Sequence, residues 1–392
     1  MNTTRTIRAG LTGVAILAGA LAGPAAGAAA PEPVQLATTA NASCARMTDG
    51  TVRCWGTLVG DGTNAARHTP VTVANLTGVV DITGGTNHFC VATTAGRVRC
   101  WGENNEGQIG DGTISTRLSP ADVTPPGAGV IDVEAGGTTS CARTASLDLW
   151  CWGRHTKYVA PGQPVQAGSQ LQPLLLGADV ARMTVGSKGV MCGQTPPRPA
   201  PDQRMVSGCL AHWYSYGKVA RWEPTDLTSF TVVKHLGFAS GCSLYGTGTI
   251  SCTGWDGAGG YGELGNGSFT PVPAGQMSIS NVPGAPWSAY DLGYLHSCGF
   301  QTQVGEYRCW GANWYGQLGD GTKTHRSIPV PVGGFTAPAA SQSSISAGFY
   351  HSCAIGTSAG RRAVYCWGTD LAGQLGNGAG GSSTKPVKAV GI

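Results

Sequence analysis

The chain's fourteen cysteines fall into seven successive pairs, with none left over. Cys90 and Cys100 set the pattern. Two short β-prone runs, Val91 to Thr93 and Arg97 to Trp101, flank a turn that contains Gly96, which is a hairpin signal. A three-residue loop, Thr94-Ala95-Gly96, places the two cysteines opposite each other, with glycine where such loops turn left-handed. Facing positions on an antiparallel pair are close enough for a disulfide. Trp101 follows Cys100, so it leaves the strand on the other face.

The unit recurs about every fifty residues. Cys44/Cys54, Cys141/Cys151 and Cys242/Cys252 repeat it, although Leu147 stands where glycine is expected in the third. Cys298/Cys309 and Cys353/Cys366 are slightly longer, and Cys192/Cys209 carries a long insertion, Gly193 to Gly208. The repeat therefore selects seven local disulfides among the many connectivities that the cysteine count allows. No Cys-x-x-Cys pair exists for zinc.

Met1 to about Ala30 reads as a secretory signal peptide, residues 1–30. Arg5 and Arg8 precede a short apolar run, Ala9 to Gly23, and the Ala-Gly-Ala-Ala-Ala stretch at 26–30 offers a cleavage site. The run is short of the ~20 residues a membrane anchor needs, and no later stretch is apolar enough to span. Export agrees with a disulfide framework, so the expected location is extracellular. The net charge is +4 and no basic run exceeds Arg361-Arg362, which gives nucleic-acid binding little electrostatic support.

The rest is β-rich, with turn signals every eight to twelve residues. The second unit offers four strands: Val79 to Thr83, His88 to Thr93, Arg97 to Trp101 and Ala121 to Thr124. The sixth offers Ala289 to Leu292, His296 to Phe300, Tyr307 to Trp310 and Ile328 to Val332. Seven such units predict an all-β, seven-bladed β-propeller over residues 31–392. The blades have about four antiparallel strands and one local disulfide each. The units run at about 33–77, 78–127, 128–176, 177–226, 227–283, 284–337 and 338–392. Val34 to Thr38 and Pro386 to Val390 are expected to complete one blade between them, which would hide both sheet edges.

The stretch Trp310-Gly-Ala-Asn-Trp-Tyr-Gly-Gln-Leu-Gly-Asp-Gly-Thr322, with Gly293-Tyr-Leu-His-Ser-Cys298 before it, resembles the repeat of the regulator of chromosome condensation family. Gly348 to Cys353, Trp367 to Gly378 and the Cys90 to Thr113 stretch match it too. The fifth unit matches at Gly262 to Gly267, the first is shortened at Gly60 to Thr63, and the third and fourth are degenerate after Trp152-Gly153 and Cys209. The resemblance implies a seven-bladed propeller. Family functions include exchange on a small GTPase, ultraviolet sensing in plants and, in a secreted bacterial relative, inhibition of β-lactamases. No matched residue carries the exchange activity over, and fold does not choose among the functions.

Repetition separates blade residues from site residues. The tryptophan that follows the second cysteine in five of the seven units is expected between blades. Gln108, Gln317 and Gln374 are expected to bond turn backbone, and His88, His296 and His351 to be structural. Asp61, Asp111 and Asp320 read as turn residues of Gly-Asp-Gly-Thr rather than calcium ligands. Gly356-Thr-Ser358-Ala-Gly360 matches a nucleophile elbow, but it lies at a hairpin turn rather than a strand-to-helix turn.

Positions that vary lie in two loops, one entering the hairpin and one following Trp-Gly, which antiparallel strands place side by side. They supply Phe238, Tyr261, Tyr294, Trp314, Tyr315, Phe349 and Tyr350, with Asn87 and Thr138 at the same positions in the second and third units. Trp213, Tyr214 and Tyr216 extend the set in the fourth. Exposed aromatic residues at such density mark interaction sites. The sequence thus points to a secreted, monomeric, non-enzymatic binder of an extracellular protein, with inhibition of an extracellular enzyme as the sharpest form. No cofactor or metal is expected. A polysaccharide-binding, lectin-like propeller is the alternative, and a lyase or hydrolase working at the channel mouth is a third.

Overall fold

The computed structural model describes residues 29–123, 129–157, 166–177, 182–185, 191–194, 207–210, 230–235, 240–255, 257–339 and 344–392. Consecutive strands pair with one another, because each connection is a short turn or loop. The first sheet is β1 (Pro33–Thr38), β2 (Ala42–Met47), β3 (Val52–Gly56) and β4 (Arg67–Thr72). The second is β5 (Val79–Gly84), β6 (His88–Thr93), β7 (Val98–Gly102) and β8 (Arg117–Asp122). β9 (Val130–Gly136), β10 (Thr139–Thr144), β11 (Leu149–Lys157) and β12 (Gln166–Gly177) make the third. A three-stranded sheet follows: β13 (Arg182–Val185), β14 (Met191–Gln194) and β15 (Ser207–Leu210). Then come β16 (Phe230–His235), β17 (Ser240–Tyr245), β18 (Ile250–Trp255) and β19 (Met277–Asn281). The next sheet is β20 (Trp287–Leu292), β21 (His296–Gln301), β22 (Glu306–Gly311) and β23 (Arg326–Pro331). The last is β24 (Ile345–Ala347), β25 (His351–Ser358), β26 (Arg361–Gly368) and β27 (Ser383–Lys388).

The molecule is an all-β propeller of four-stranded antiparallel blades. Seven such blades were expected. Among the described residues six sheets have four strands, and the insertion-bearing unit shows three. The innermost strands touch in succession, β1 with β5, β5 with β9, and so on to β20 with β24 and β24 with β1. The termini do not share a blade, contrary to expectation. β1 is innermost in its own sheet and β27 outermost in the last. Side chains close the ring instead: Thr38 Oγ1 meets Ser346 Oγ at 2.8 Å, and the Leu36 amide donates to Ser344 Oγ at 3.2 Å.

The cysteine hairpin behaves as the sequence requires. Cys90 faces Cys100 in register, and the Thr93–Arg97 turn closes with Gly96 at φ 67°. Six disulfides join the middle strands of the six four-stranded blades, with Cα separations of 4.0–4.2 Å. Cys192 and Cys209 also face each other in the backbone register.

Alternation then builds the layers between blades. The Cys90/Cys100 bridge packs toward Trp152 of the next blade, while Trp101 packs back among Cys44, Cys54, Val59 and Val73. The same arrangement places Trp310 beside Cys242/Cys252 and Trp367 beside Cys298/Cys309. Trp55 of the first blade lies beside Cys353/Cys366 of the last, which completes the circle. All five tryptophans are fully buried. Truncating one to alanine removes an interior plug worth ~3–5 kcal/mol.

Four of the five plugs are also hydrogen-bonded. The indole N–H of Trp367 donates to the Gln317 carbonyl at 2.8 Å, Trp152 to Gln108 at 2.9 Å and Trp55 to Gln374 at 2.6 Å. The contact demands glycine beside the ring: a Cβ on Gly319, at φ 70°, would lie 2.9 Å from Trp367 Nε1. Trp101 meets the shortened loop of the first unit, which lacks that glutamine, and its buried Nε1 has no partner.

Candidate functional site

In the four blades of β6, β10, β21 and β25 the loop entering the hairpin and the loop leaving it are joined by their backbones. Glu103 N–H donates to the Asn87 carbonyl, Arg154 to Thr138, Ala312 to Leu295 and Thr369 to Tyr350, all at 2.8–2.9 Å. Both variable loops therefore share one face, as the strand directions require. Incoming loops also bond from blade to blade, through Ala40 N–H to the Thr86 carbonyl and Thr86 N–H to the Gly137 carbonyl.

On this face the structure brings together six of the seven aromatic residues named from sequence. Tyr294 stacks on Phe349 with centroids 5.1 Å apart, and meets Tyr350 edge-on at 5.8 Å. Tyr315 lies 5.1 Å from Tyr350, which extends this group to the next loop. Tyr261 and Trp314 form a second group, 4.8 Å apart. Tyr261, Trp314 and Tyr315 are 38–39% exposed, whereas Tyr294, Phe349 and Tyr350 are half-buried. Burial, with Tyr350 close by, holds the Tyr294 hydroxyl above its ordinary pKa. Leu371, in the last blade's outgoing loop, is 85% exposed.

Asn87 and Thr138 sit on the same face in a polar sector. The Asn87 amide donates to Glu103 at 2.9 Å, the Asn105 amide donates to the same carboxylate at 2.6 Å, and Arg154 pairs with Glu106 at 3.6 Å. Phe238, Trp213, Tyr214, Tyr216 and the stretch 195–206 lie outside the described residues.

His325 was missed in the sequence. Its ring packs edge-on against Trp314 and Tyr261, with centroids 5.0 and 5.6 Å away, and its Nδ1 accepts the Asn313 N–H at 2.9 Å. The signal was present. The second unit reads Asp111-Gly-Thr-Ile-Ser-Thr-Arg117 and the sixth reads Asp320-Gly-Thr-Lys-Thr-His-Arg326, so histidine replaces threonine at a fixed repeat position.

The residues assigned to structure behave as structure. The amide oxygens of Gln108, Gln317 and Gln374 accept the backbone N–H groups of Glu106, Tyr315 and Ala372. Glu263 takes that place in its blade, accepting from Gly259 and Tyr261. His88, His296 and His351 are fully buried and bond to Ser140, Ser352 and Ser43 of the following blade. Asp61, Asp111 and Asp320 each accept from a threonine two residues on and pair with Arg67, Arg117 and Arg326. Ser358 ends the β25 strand at a hairpin turn, where its hydroxyl accepts from Lys388.

The innermost strands line a central cavity of about 580 Å³ that reaches Tyr294, Phe349 and Tyr350. Asp81, Asp132, Glu134 and Asp291 line it as well. Asp81 accepts from Gln35 and from the Val133 N–H, and Asp291 from Ser346 and the Ala347 N–H. Asp81 thus ties β5 to β1 and β9, and Asp291 ties β20 to β24. Burial, then repulsion from Asp81, raises Asp132 to about 6 even though Arg143 lies 3.1 Å away. Among the described residues, no cluster of three or more His, Cys, Asp or Glu could hold a metal. Among them, too, no helix is long and apolar enough to cross a membrane.

The regulator of chromosome condensation (RCC1) repeat profiles match residues 79–108 and 343–374, and residues 95–143 and 309–355. These are the segments that carry the buried histidine, the tryptophan and the glutamine turn. The chain carries repeats of the regulator of chromosome condensation family. Human E3 ubiquitin-protein ligase HERC2 is 30% identical over 254 residues, which is 62% of this chain but only 5% of that protein. The mouse protein matches at 29% over the same shares. Among solved structures, yeast RCC1 (Prp20) bound to Kap60 superposes with a TM-score of 0.64 at 16% identity, over 91% of this chain and 85% of that one. Prp20p of Saccharomyces cerevisiae, studied for its binding to Gsp1p and histones, gives 0.66 at 14% identity over 91% and 87%. At such identities the likeness to RCC1 structures is one of fold.

Proposed function

We propose that this RCC1-repeat propeller is a non-enzymatic protein-binding module whose docking surface is the aromatic face. One observation carries the reading. Three consecutive blades set Tyr261, Tyr294, Trp314, Tyr315, Phe349 and Tyr350 in two contacting groups on a single face, half-buried to exposed. Tyrosine and tryptophan dominate protein hot spots, and the blade itself does not need these residues, since the second blade turns the same corner with Asn105 and Glu106. The disulfides and the signal-like start support action outside the cytoplasm, where inhibition of an extracellular enzyme is one use of such a face.

The β13–β15 sheet counts as the seventh blade in this reading. Its inner strand touches both β9 and β16, and its cysteines face each other as in the other units.

The test is capture from the culture fluid of the producing organism, run with the wild-type chain and a Trp314→Ala/Tyr350→Ala variant beside a glycan array. A protein held by the wild type and lost by the folded variant is the expected result. Binding of glycans alone would move the reading to a lectin, and a protein held equally by both chains would remove the aromatic face from it.

A further inference from the structure

His325 does two things at once on the aromatic face. Its ring fills the angle between Tyr261 and Trp314, and its Nδ1 accepts the N–H of Asn313, the residue immediately before Trp314. An Nδ1 that accepts leaves the neutral ring's hydrogen on Nε2. Asn313 is itself the anchor of the outgoing loop. Its Oδ1 accepts the Leu318 N–H at 3.0 Å, and its Nδ2 donates to Asp320 at 3.2 Å. The second blade closes the same turn with Thr116 at the histidine position. The fold therefore does not call for histidine there.

We propose that His325 is a positioning residue of the binding face. In its neutral form it holds the Trp314–Tyr315 turn against Tyr261, and protonation releases that turn, so partner binding fails in mild acid while the propeller stays folded. The inference rests on the reading of the aromatic face as the docking surface. A second proton must go to Nδ1, which turns the acceptor into a donor aimed at another donor 2.9 Å away. Burial already disfavours the charged ring and lowers its pKa from the ordinary value. The titratable and charged groups on the packed elements do not offset this. Glu263, on the Tyr261 loop, is occupied by the Gly259 and Tyr261 N–H groups. Asp320, on the turn, is paired with Arg326, and Lys323 on the same turn carries like charge.

The test needs no partner at first. In 15N-labelled full chain, the His325 ring nitrogens and the amides of Asn313, Trp314 and Tyr315 are followed by NMR between about pH 7.5 and about pH 5. The expected result is an acceptor-type Nδ1 at neutral pH and one shared titration across all four residues. It should be absent from His325→Gln, which can accept the Asn313 N–H without titrating. His325→Thr, a residue this turn accepts in the second blade, should fold, lose the neutral-pH ordering and show no titration. Capture of the partner should fall at least about tenfold over that pH range in the wild type and less than about twofold in His325→Gln. Amide shifts in the wild type that ignore the histidine titration, or that persist in His325→Gln, overturn the inference. If no partner binds the face, the docking reading fails while the NMR result still decides the role of His325.

Discussion

The imidazole Nε2 of His296 lies 2.8 Å from the hydroxyl of Ser352 in the next blade. Ser352 gives its own hydrogen to the Gln317 carbonyl at 3.0 Å, so the histidine must donate and its proton sits on Nε2. The same carbonyl accepts the indole of Trp367. One glutamine carbonyl thus ties a tryptophan and a histidine–serine pair across the blade junction, and His88–Ser140 and His351–Ser43 repeat it.

Acid should loosen these junctions. Burial pushes His88, His296 and His351 down to about 3, against an unfolded value of about 6.5. Below 6.5 the unfolded chain takes up protons that the folded chain refuses, so the contribution is fully present above that pH and is lost as pH falls toward 3. Each histidine contributes a slope of ~1 kcal/mol per pH unit. Asp132, raised to about 6, opposes part of it by binding a proton in the folded state. Urea unfolding at steps from about pH 7 to about pH 4.5 should show stability falling with a slope equivalent to about two protons. A flat profile would mean that these rings titrate normally.

Leu147 occupies the left-handed turn position that glycine fills in the other hairpins, at φ 68° against 67° for Gly96 and 81° for Gly248. A left-handed side-chain residue costs ~1–2 kcal/mol. Leu147→Gly should therefore raise the stability by up to ~1 kcal/mol, less whatever packing the half-buried leucine supplies. A melting curve for the variant checks it, and a clear loss of stability would show that the packing outweighs the strain.

Asp370 stands where the second and sixth units have Asn104 and Asn313. Those amides donate to the turn carbonyls of Thr113 and Thr322. Asp370 keeps the acceptor half of the arrangement, taking the Leu375 N–H at 2.9 Å, but its Oδ2 is buried without a partner and burial raises its pKa. Asp370→Asn should stabilise the last blade by ~1–2 kcal/mol at neutral pH. Because a raised folded pKa means stability lost as pH rises, the gain should shrink as the wild-type acid protonates. Equal melting temperatures at neutral pH would argue against an unsatisfied carboxylate.

Trp314→Ala and Tyr350→Ala should each weaken partner binding by ~2 kcal/mol or more, with little change in melting temperature, since both rings lie on the face rather than between blades. Calorimetric titration beside thermal melts separates the two effects. Unfolding of either variant would assign the ring to the core.

Among the described residues, peptide mapping of unreduced protein should return six pairs, each within one hairpin: Cys44–Cys54, Cys90–Cys100, Cys141–Cys151, Cys242–Cys252, Cys298–Cys309 and Cys353–Cys366. Short loops of this kind contribute ~2–3 kcal/mol per bridge in the chain-entropy view, so reduction should lower the melting temperature markedly. A pair that spans two blades would contradict the layer arrangement.

Local chemistry was legible in the residues themselves. Hairpins, paired cysteines, a tryptophan on the opposite face, glutamine-bonded turns and a shared face for the two variable loops all follow from alternation and turn geometry. These act within about fifteen residues and need no partner from elsewhere in the chain. Which residues meet across the junctions between units was not legible. The closure of the ring by Thr38 and Ser346 rather than by a shared blade rests on side chains 308 residues apart. The packing of His325 against Trp314 and Tyr261 likewise arises only when the β22–β23 loop of one blade and the Tyr261 loop of its neighbour come together in space. Periodicity fixes which side of a strand a residue occupies, whereas the neighbour it finds there depends on how the blades pack into the ring.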